Sequence, residues 1–323
     1  MIKNGQDNLN KDLYNYSGPR NVLITGGCGF IGSNFINYIF DKWQNSRFIN
    51  IDKLAVGAST EHIVPEVRKS GRYTFVHGTL LEQSLVESLL KLYQIDTVIH
   101  FAAITHVDES YSDRVGTIQE NIIATTTLLE AINTHKQIKR FVHISTDEVY
   151  GDSMDSNSPN DEDSPLNPTN PYAASKAACE HSYRLPYVMV RMNNVYGPRQ
   201  AYSKLIPKFT RLALEGKPYP LMGDGMHKRS WIYVDDCAEA IRLVVRTEKG
   251  SNAKVYNIGT ELEKCNLHLT EMLHQKNFNK IRDELGWKCV VSFEEGLTRT
   301  LNYYLKEYNK LRRELTTMER PHG

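Results

Sequence analysis

The chain has 323 residues, enough for a sizeable core in one large domain or two smaller ones. Its 39 Lys and Arg against 38 Asp and Glu leave a net charge of +1, which provides no electrostatic footprint for nucleic acid. Five scattered cysteines without a CxxC pair or metal-ligand spacing, no run of 18 apolar residues and no signal-like start lead us to expect a soluble cytoplasmic protein without metal.

Residues 1–19 read as a loose extension that ends at the Gly18-Pro19 breaker. Residues 21–25 (NVLIT) predict a buried strand, followed by the turn Gly26-Gly27-Cys28-Gly29-Phe30-Ile31-Gly32 and an amphipathic helix from Ser33 to Trp43. A second strand, 47–51, ends in Asp52. Glycines between strand and helix let backbone N–H groups approach a pyrophosphate at the helix N-terminus. An acid about 20 residues further on can accept hydrogen bonds from a ribose. A carboxylate there also repels a 2′-phosphate, so NAD is expected over NADP.

The alternation continues with a strand at 73–77, a helix at 81–93, a strand at 97–103 and a helix at 116–134. The strand beginning at Val142 is apolar and β-branched, then runs without interruption into Ser145-Thr146-Asp147-Glu148. A polar cluster at the carboxyl end of a parallel strand is where an open α/β sheet places its active site. A polar loop over 152–170 precedes Pro171-Tyr172-Ala173-Ala174-Ser175-Lys176. Tyr172 and Lys176 share a helix face one turn apart, and an ammonium beside a phenol lowers the phenol pKa. Alone, such a spacing or an acidic strand end is a common surface pattern. Behind a glycine loop, the two together point to a reaction centre.

After a strand at 187–191 the pattern loosens. A helix at 206–215, a turn-rich segment at 216–220, the Arg229–Asp236 block leading a helix at 237–246, and a strand at 254–258 follow. The expected fold class is α/β: a Rossmann-type doubly wound parallel sheet with a smaller, interleaved C-terminal α/β substrate-binding lobe. The NAD-binding domain is expected over 20–195, with 229–258 returning to it in part, and the lobe over 196–228 and 259–323.

Four motifs, residues 25–32, Tyr172-xxx-Lys176, Asn194–Pro198 and Arg229–Asp236, resemble the extended short-chain dehydrogenase/reductases that act on nucleotide sugars. Within them, residues 145–151 (STDEVYG) are similar to the nucleoside-diphosphate-glucose 4,6-dehydratases. The resemblance implies C4 oxidation, elimination of water across C5–C6 and hydride return to C6, as in deoxysugar (rhamnose-type) biosynthesis. In that scheme Tyr172 takes the C4 hydroxyl proton, Lys176 lowers the Tyr172 pKa and binds the nicotinamide ribose, and Thr146 hydrogen-bonds the C4 oxygen. Glu148 is the base for C5–H and Asp147 the acid for the C6 hydroxyl. The implied NAD site comprises Gly26, Gly29, Phe30, Ile31, Gly32, Asp52, Lys53, Ala102, Ala103, Tyr172 and Lys176. The implied nucleotide-sugar contacts are Thr105, His106, Asn194, Lys204, Pro220, Arg229 and Asn266. A homodimer is also implied, in which the Tyr172 helix and the 116–134 helix join an intersubunit four-helix bundle.

The sequence departs from the family pattern at four places. Gly78-Thr79-Leu80 lacks the Asp that meets adenine, and Pro220-Leu221-Met222 replaces Pro-x-Tyr, leaving thymine against uracil open. Arg184 follows Lys176 after eight positions, where the family helix runs about two turns longer. The tract from Thr270 to Leu285 lacks the family's Arg-Pro-Gly-His-Asp segment. The alternatives are a 4-epimerase or decarboxylase on the same scaffold, against which the Asp147-Glu148 pair speaks, or a non-catalytic dinucleotide-binding subunit, against which Tyr172 and Lys176 speak.

Overall fold

In a computed structural model, residues 19–151, 160–180, 187–215, 217, 220, 228–246, 254–260, 263–265 and 288–318 are described. The frame is a seven-stranded parallel sheet: β1 (Asn21–Thr25), β2 (Arg47–Asp52), β3 (Tyr73–His77), β4 (Thr97–His100), β5 (Arg140–Thr146), β6 (Tyr187–Met192) and β9 (Lys254–Ile258). Their order is β3-β2-β1-β4-β5-β6-β9. The chain therefore works outward in one direction from β1 and then restarts at β4 on its other side. The crevice between the carboxyl ends of β1 and β4 is the topological switch point. A second sheet, β10-β8-β7, joins β7 (Asn194–Tyr196), β8 (Lys228–Tyr233) and β10 (Glu263–Cys265).

Alternation along each strand sends successive side chains to opposite faces. Val22 and Ile24 of β1, Ile99 of β4 and Val142 of β5 enter one apolar cluster. It is closed by helix α1 (Phe30–Ile39) and by helix α9 (Val234–Arg246) through Phe35, Ile36, Ile241 and Val244. Leu23, Val98 and Phe141 enter the other cluster, under α3 (Gln83–Leu92) and α6 (Ala124–His135). Both faces are covered, which is why the strands read as continuous apolar runs.

Several elements differ from the expectation. The strand at 97–103 ends at His100, and the block at 229–236, which does lead into a helix, is strand β8 as far as Tyr233, with the helix starting at Val234 rather than at Cys237. Short helices α2 (Pro65–Arg68) and α4 (Val107–Ser112) and the long α10 (Phe293–Met318) have no counterpart in the expectation. The 116–134 helix is three pieces: α5 (Arg114–Ile118), one π-helical turn (Gln119–Ile123) and α6. The remaining helices are α7 (Pro171–Glu180) and α8 (Leu205–Leu214). The short stretches after Lys176 and after Thr270 lie outside the described residues.

At the far end of α7 a buried ion pair ties helix to sheet. Arg191 of β6 meets Glu180 through Nη2 at 2.7 Å and Nε at 3.1 Å, and Ser145 donates to the same carboxylate at 2.5 Å. Arg191 Nη1 adds the Tyr150 hydroxyl at 2.7 Å and the Glu162 carbonyl at 3.1 Å. Glu180→Leu strands this guanidinium inside the protein, so we expect a loss of roughly 3–5 kcal/mol in urea unfolding. Arg68→Ala, which breaks the exposed pair with Glu61, should cost about 1 kcal/mol or less.

Candidate active site

The turn after β1 is built for close backbone approach. Gly26 has φ +69°, and a Cβ there would lie 2.6 Å from the Ala102 backbone at the end of β4. A Cβ on Gly32 would lie 2.5 Å from the Gly26 carbonyl oxygen, so the first turn of α1 sits directly on the loop. No side chain caps α1 at Gly29, and its first turn carries no acid, which leaves a helix N-terminus open to an anion. Phe30 and Ile31 begin this helix and pack their side chains on the first cluster. These features form a cradle that fits a dinucleotide diphosphate.

The second strand holds the loop in place. Asp52 accepts from Cys28 N at 2.9 Å and Leu54 N at 2.8 Å, and a carboxylate has lone pairs to spare for a ribose. Asn50, which sequence reasoning missed, accepts from Gly27 N at 3.0 Å and donates to the Tyr73 hydroxyl at 2.9 Å. Its signal was an amide inside an otherwise apolar strand, since a buried amide needs partners. Burial and the Asp52 charge push the Cys28 thiol up to about 12, so it stays protonated. Lys53 pairs with Glu120 on the π turn at 2.7 Å, while Ala102 and Ala103 follow β4 beside the loop.

Across the switch point, β5 ends at Thr146 and a 3-10 turn carries Asp147–Tyr150. Thr146 Oγ1 accepts from Glu148 N at 3.2 Å and donates to Asp147 Oδ1 at 3.3 Å. The Thr146 side chain also pulls the Tyr172 pKa down. Asn170 stands at the entrance of α7, where its Oδ1 accepts from Ala173 N at 2.8 Å and its Nδ2 donates to Glu148 Oε2 at 2.9 Å. Asn before Pro is a helix-start pattern, but the second bond to Glu148 has no sequence signature. Asn121, on the π turn, pairs with both Ile104 N (2.7 Å) and Ile104 O (3.0 Å) and donates to Ser175 Oγ at 2.8 Å. It thereby couples the loop after β4 to α7.

The electrostatics separate the groups. Burial, then the Glu148 charge, push Asp147 up to about 7, while the Thr146 bond and Arg229 pull it back. Burial and the Glu148 carboxylate also raise Tyr172 above its ordinary value. The expected lowering by Lys176 is not met here, because the Lys176 ammonium is turned to the sheet. Nζ donates to Ile144 O at 2.7 Å and lies 3.1 Å from His143 Nε2. Burial lowers the Lys176 pKa. Burial and the nearby Lys176 hold His143 well below its usual value and His100 near about 3.

The expected sugar-side residues gather opposite. Lys204 Nζ donates to Thr105 O at 3.3 Å, His106 Nε2 is 3.3 Å from Ser203 Oγ, and the Glu148 charge reaches Lys204. The charge of Arg229, on β8, also reaches Asp147. Asn194 opens β7, and Pro220 is exposed. Asn266 lies outside the described residues.

The NAD dependent epimerase/dehydratase family model matches residues 22–259. A dTDP-D-glucose 4,6-dehydratase of Dictyostelium discoideum is 40% identical, over 89% of this chain and 82% of its own. A trifunctional UDP-glucose 4,6-dehydratase/3,5-epimerase/reductase of Arabidopsis thaliana is 39% identical over 88% of this chain. The chain spans about half (47%) of that relative's length. The crystal structure of DesIV, a dTDP-glucose 4,6-dehydratase from Streptomyces venezuelae with NAD and TYD bound, superposes with a TM-score of 0.81. It is 35% identical, covering 90% of this chain and 98% of that one.

Asp147 keeps its proton up to about pH 7, whereas in an unfolded chain it loses it near about 3.9. Between those values the native state binds the proton and the unfolded state does not, so this group makes stability fall as pH rises. Asp147→Asn should therefore match the wild type below about pH 4 and be the more stable above about pH 7, as read from urea midpoints across pH.

Proposed function

Because the chain belongs to the NAD dependent epimerase/dehydratase family, we propose that it binds NAD and dehydrates a nucleoside-diphosphate glucose, UDP-glucose or dTDP-glucose, to the 4-keto-6-deoxy sugar nucleotide. The observation that carries this reading is the adjacent carboxyl pair at the end of β5: Asp147 pushed up to about 7, and Glu148 held by Asn170. A 4-epimerase or decarboxylase has no use for a second acid and base.

The glycine cradle and the N-terminus of α1 would hold the cofactor's diphosphate, with Phe30 and Ile31 in that first turn and Asp52 and Lys53 toward the adenosine ribose. Ala102 and Ala103 would flank the nicotinamide half. When bound, NAD supplies the redox chemistry, taking a hydride from C4 and returning it at C6. Tyr172 takes the C4 hydroxyl proton, with Thr146 hydrogen-bonded to the C4 oxygen. The C4 ketone acidifies C5–H; Glu148 removes that proton, and Asp147 protonates the departing C6 oxygen. Lys176 would release Ile144 and His143 to reach the nicotinamide ribose. Thr105, His106, Asn194, Lys204, Pro220, Arg229 and Asn266 would meet the sugar nucleotide, with Arg229 suited to a bidentate phosphate contact. The lobe formed by 196–228 and 259–323 would close over it.

Incubation with UDP-glucose and with dTDP-glucose should yield a 4-keto-6-deoxy product from at least one. Glu148→Gln should slow product formation by about 10²–10⁴-fold and suppress solvent deuterium incorporation at C5. Full activity of that variant would overturn the assignment of the base.

The same reading includes a cytoplasmic homodimer serving deoxysugar, rhamnose-type, synthesis. No helix among the described residues is long and apolar enough to cross a membrane. Tyr111, Val115, Ile118 and Ile123 expose 48%, 76%, 48% and 49% of their surfaces along α4, α5 and the π turn, a stripe that suits a second copy. Val115→Glu with Ile118→Glu should turn a dimer into a monomer in sedimentation at micromolar concentration; an unchanged sedimentation coefficient would count against this face.

A further inference from the structure

The proposed dehydration asks two groups on different elements to serve neighbouring carbons of one sugar. Tyr172, on α7, works at C4, and Glu148, on the 3-10 turn after β5, works at C5. Resting on that reading, we propose that Asn170 is a positioning residue that ties the Glu148 carboxylate to the start of the Tyr172 helix, holding Oε2 and leaving Oε1 to meet C5–H.

The orientation of the Asn170 amide follows from the helix it begins. Pro171 has no N–H to satisfy, and Tyr172 N donates to Ser110 Oγ at 3.2 Å. Asn170 takes the next two donors: Ala173 N reaches its Oδ1 at 2.8 Å, and Ala174 N its main-chain carbonyl at 2.9 Å. With Oδ1 committed to the cap, Nδ2 is the end that meets Glu148 Oε2, at 2.9 Å. Turning the amide over would set its NH2 against the Ala173 N–H and its oxygen against a carboxylate. Both contacts would then be repulsive, so the cap fixes a donor toward the base.

Glu148 needs such a tie. Its backbone is held at both ends, with N on Thr146 Oγ1 (3.2 Å) and O accepting from Gly151 N (3.1 Å), but its carboxylate hangs on two methylenes. Among the described residues, the bond from Asn170 is the one hydrogen bond its carboxylate makes. Asp147 is held within its own turn, by Thr146 Oγ1 at 3.3 Å. In the step concerned, the C5–H bond breaks and its proton forms an O–H bond to Oε1. The electron pair passes into the enolate of the C4 ketone. Reacting atoms must approach to about 3–3.5 Å, and a misplacement of about 1 Å can cost about 10²-fold in rate. Asn170 stands two positions before Tyr172, so a shift of α7 carries the phenol and the base's anchor together.

The test uses the NAD-loaded enzyme and whichever nucleotide glucose the wild type turns over. Asn170→Ser keeps a capping oxygen but has no amide to reach Glu148; Asn170→Asp keeps the cap and the shape but offers Glu148 no donor. Asn170→Ser should leave the urea midpoint and KM near those of the wild type. Both variants should form enzyme-bound NADH, read by its absorbance, at the wild-type rate and then accumulate it. Product formation and solvent deuterium incorporation at C5 should fall by about 10–10²-fold. Added to Glu148→Gln, Asn170→Ser should cost nothing further, because the tie then holds no base. Wild-type rates in both variants would mean that Asn170 only caps α7. Equal losses of NADH formation and C5 exchange would mean that it serves the Tyr172 helix alone, and either result overturns the proposal. If the wild type makes no 4-keto-6-deoxy product from either substrate, the dehydratase reading itself fails.

Discussion

A guanidinium enclosed by protein must find an anion, and Arg191 finds Glu180 in a geometry that fixes the rest of the site. Glu180 is the last residue of α7, so the pair sets how far that helix slides along β5 and β6. Ser145, the residue before Thr146, donates to the same carboxylate, and Tyr150, at the end of the 3-10 turn, donates onward to Asn257 of β9. The four residues between Ser145 and Tyr150 are thus held at both ends. Those four are Thr146, Asp147, Glu148 and Val149. A small error in the helix position would shift Tyr172 relative to Thr146, because both are referred to one ion pair.

The parts of this arrangement that were legible in the sequence are those in which a residue type serves a local purpose. The glycines at 26, 29 and 32, the acid closing β2 and the polar end of β5 each follow from backbone rules applied over a few residues. The parallel sheet and the order of its helices followed from period and alternation. What was not legible depends on partners far along the chain. Asn121 sits in QENII, which reads as ordinary helix; in the fold it lies on a π turn with its side chain bound by Ile104 and Ser175. Asn170 was read only as the end of a polar loop, and nothing in the sequence showed its hold on Glu148. Helix α10 was hidden for another reason: its inner face is sparse, with Phe293 and Tyr304 buried, and Gly296 sits where a Cβ would fall 2.9 Å from the Tyr233 ring. Close backbone approach substitutes there for an apolar stripe.

Lys176 illustrates the difference between spacing and placement. Four residues from Tyr172 on one helix, it could equally reach the phenol or the sheet. The sheet wins because Ile144 O and His143 Nε2 offer two acceptors to a buried ammonium. The phenol's affinity for its proton is therefore set by burial and by the neighbouring carboxylates. Residues on the same helix face share a neighbourhood, but hydrogen-bond capacity decides which of them meet.

His100 and His143 stand side by side on adjacent strands, in register, with ring centroids 5.2 Å apart. His100 lies between the hydroxyls of Thr25 and Thr125 at 2.7 and 2.9 Å, and neither imidazole is readily charged where it lies. In an unfolded chain both would take up a proton near about pH 6.5. As the medium acidifies below that point, the denatured state gains two protons that the native state refuses, and the fold loses ground. Asp147 leans the other way over much of the same interval, but as one group against two. The floor beneath the reaction centre is therefore one place from which mild acid draws down the stability of this fold.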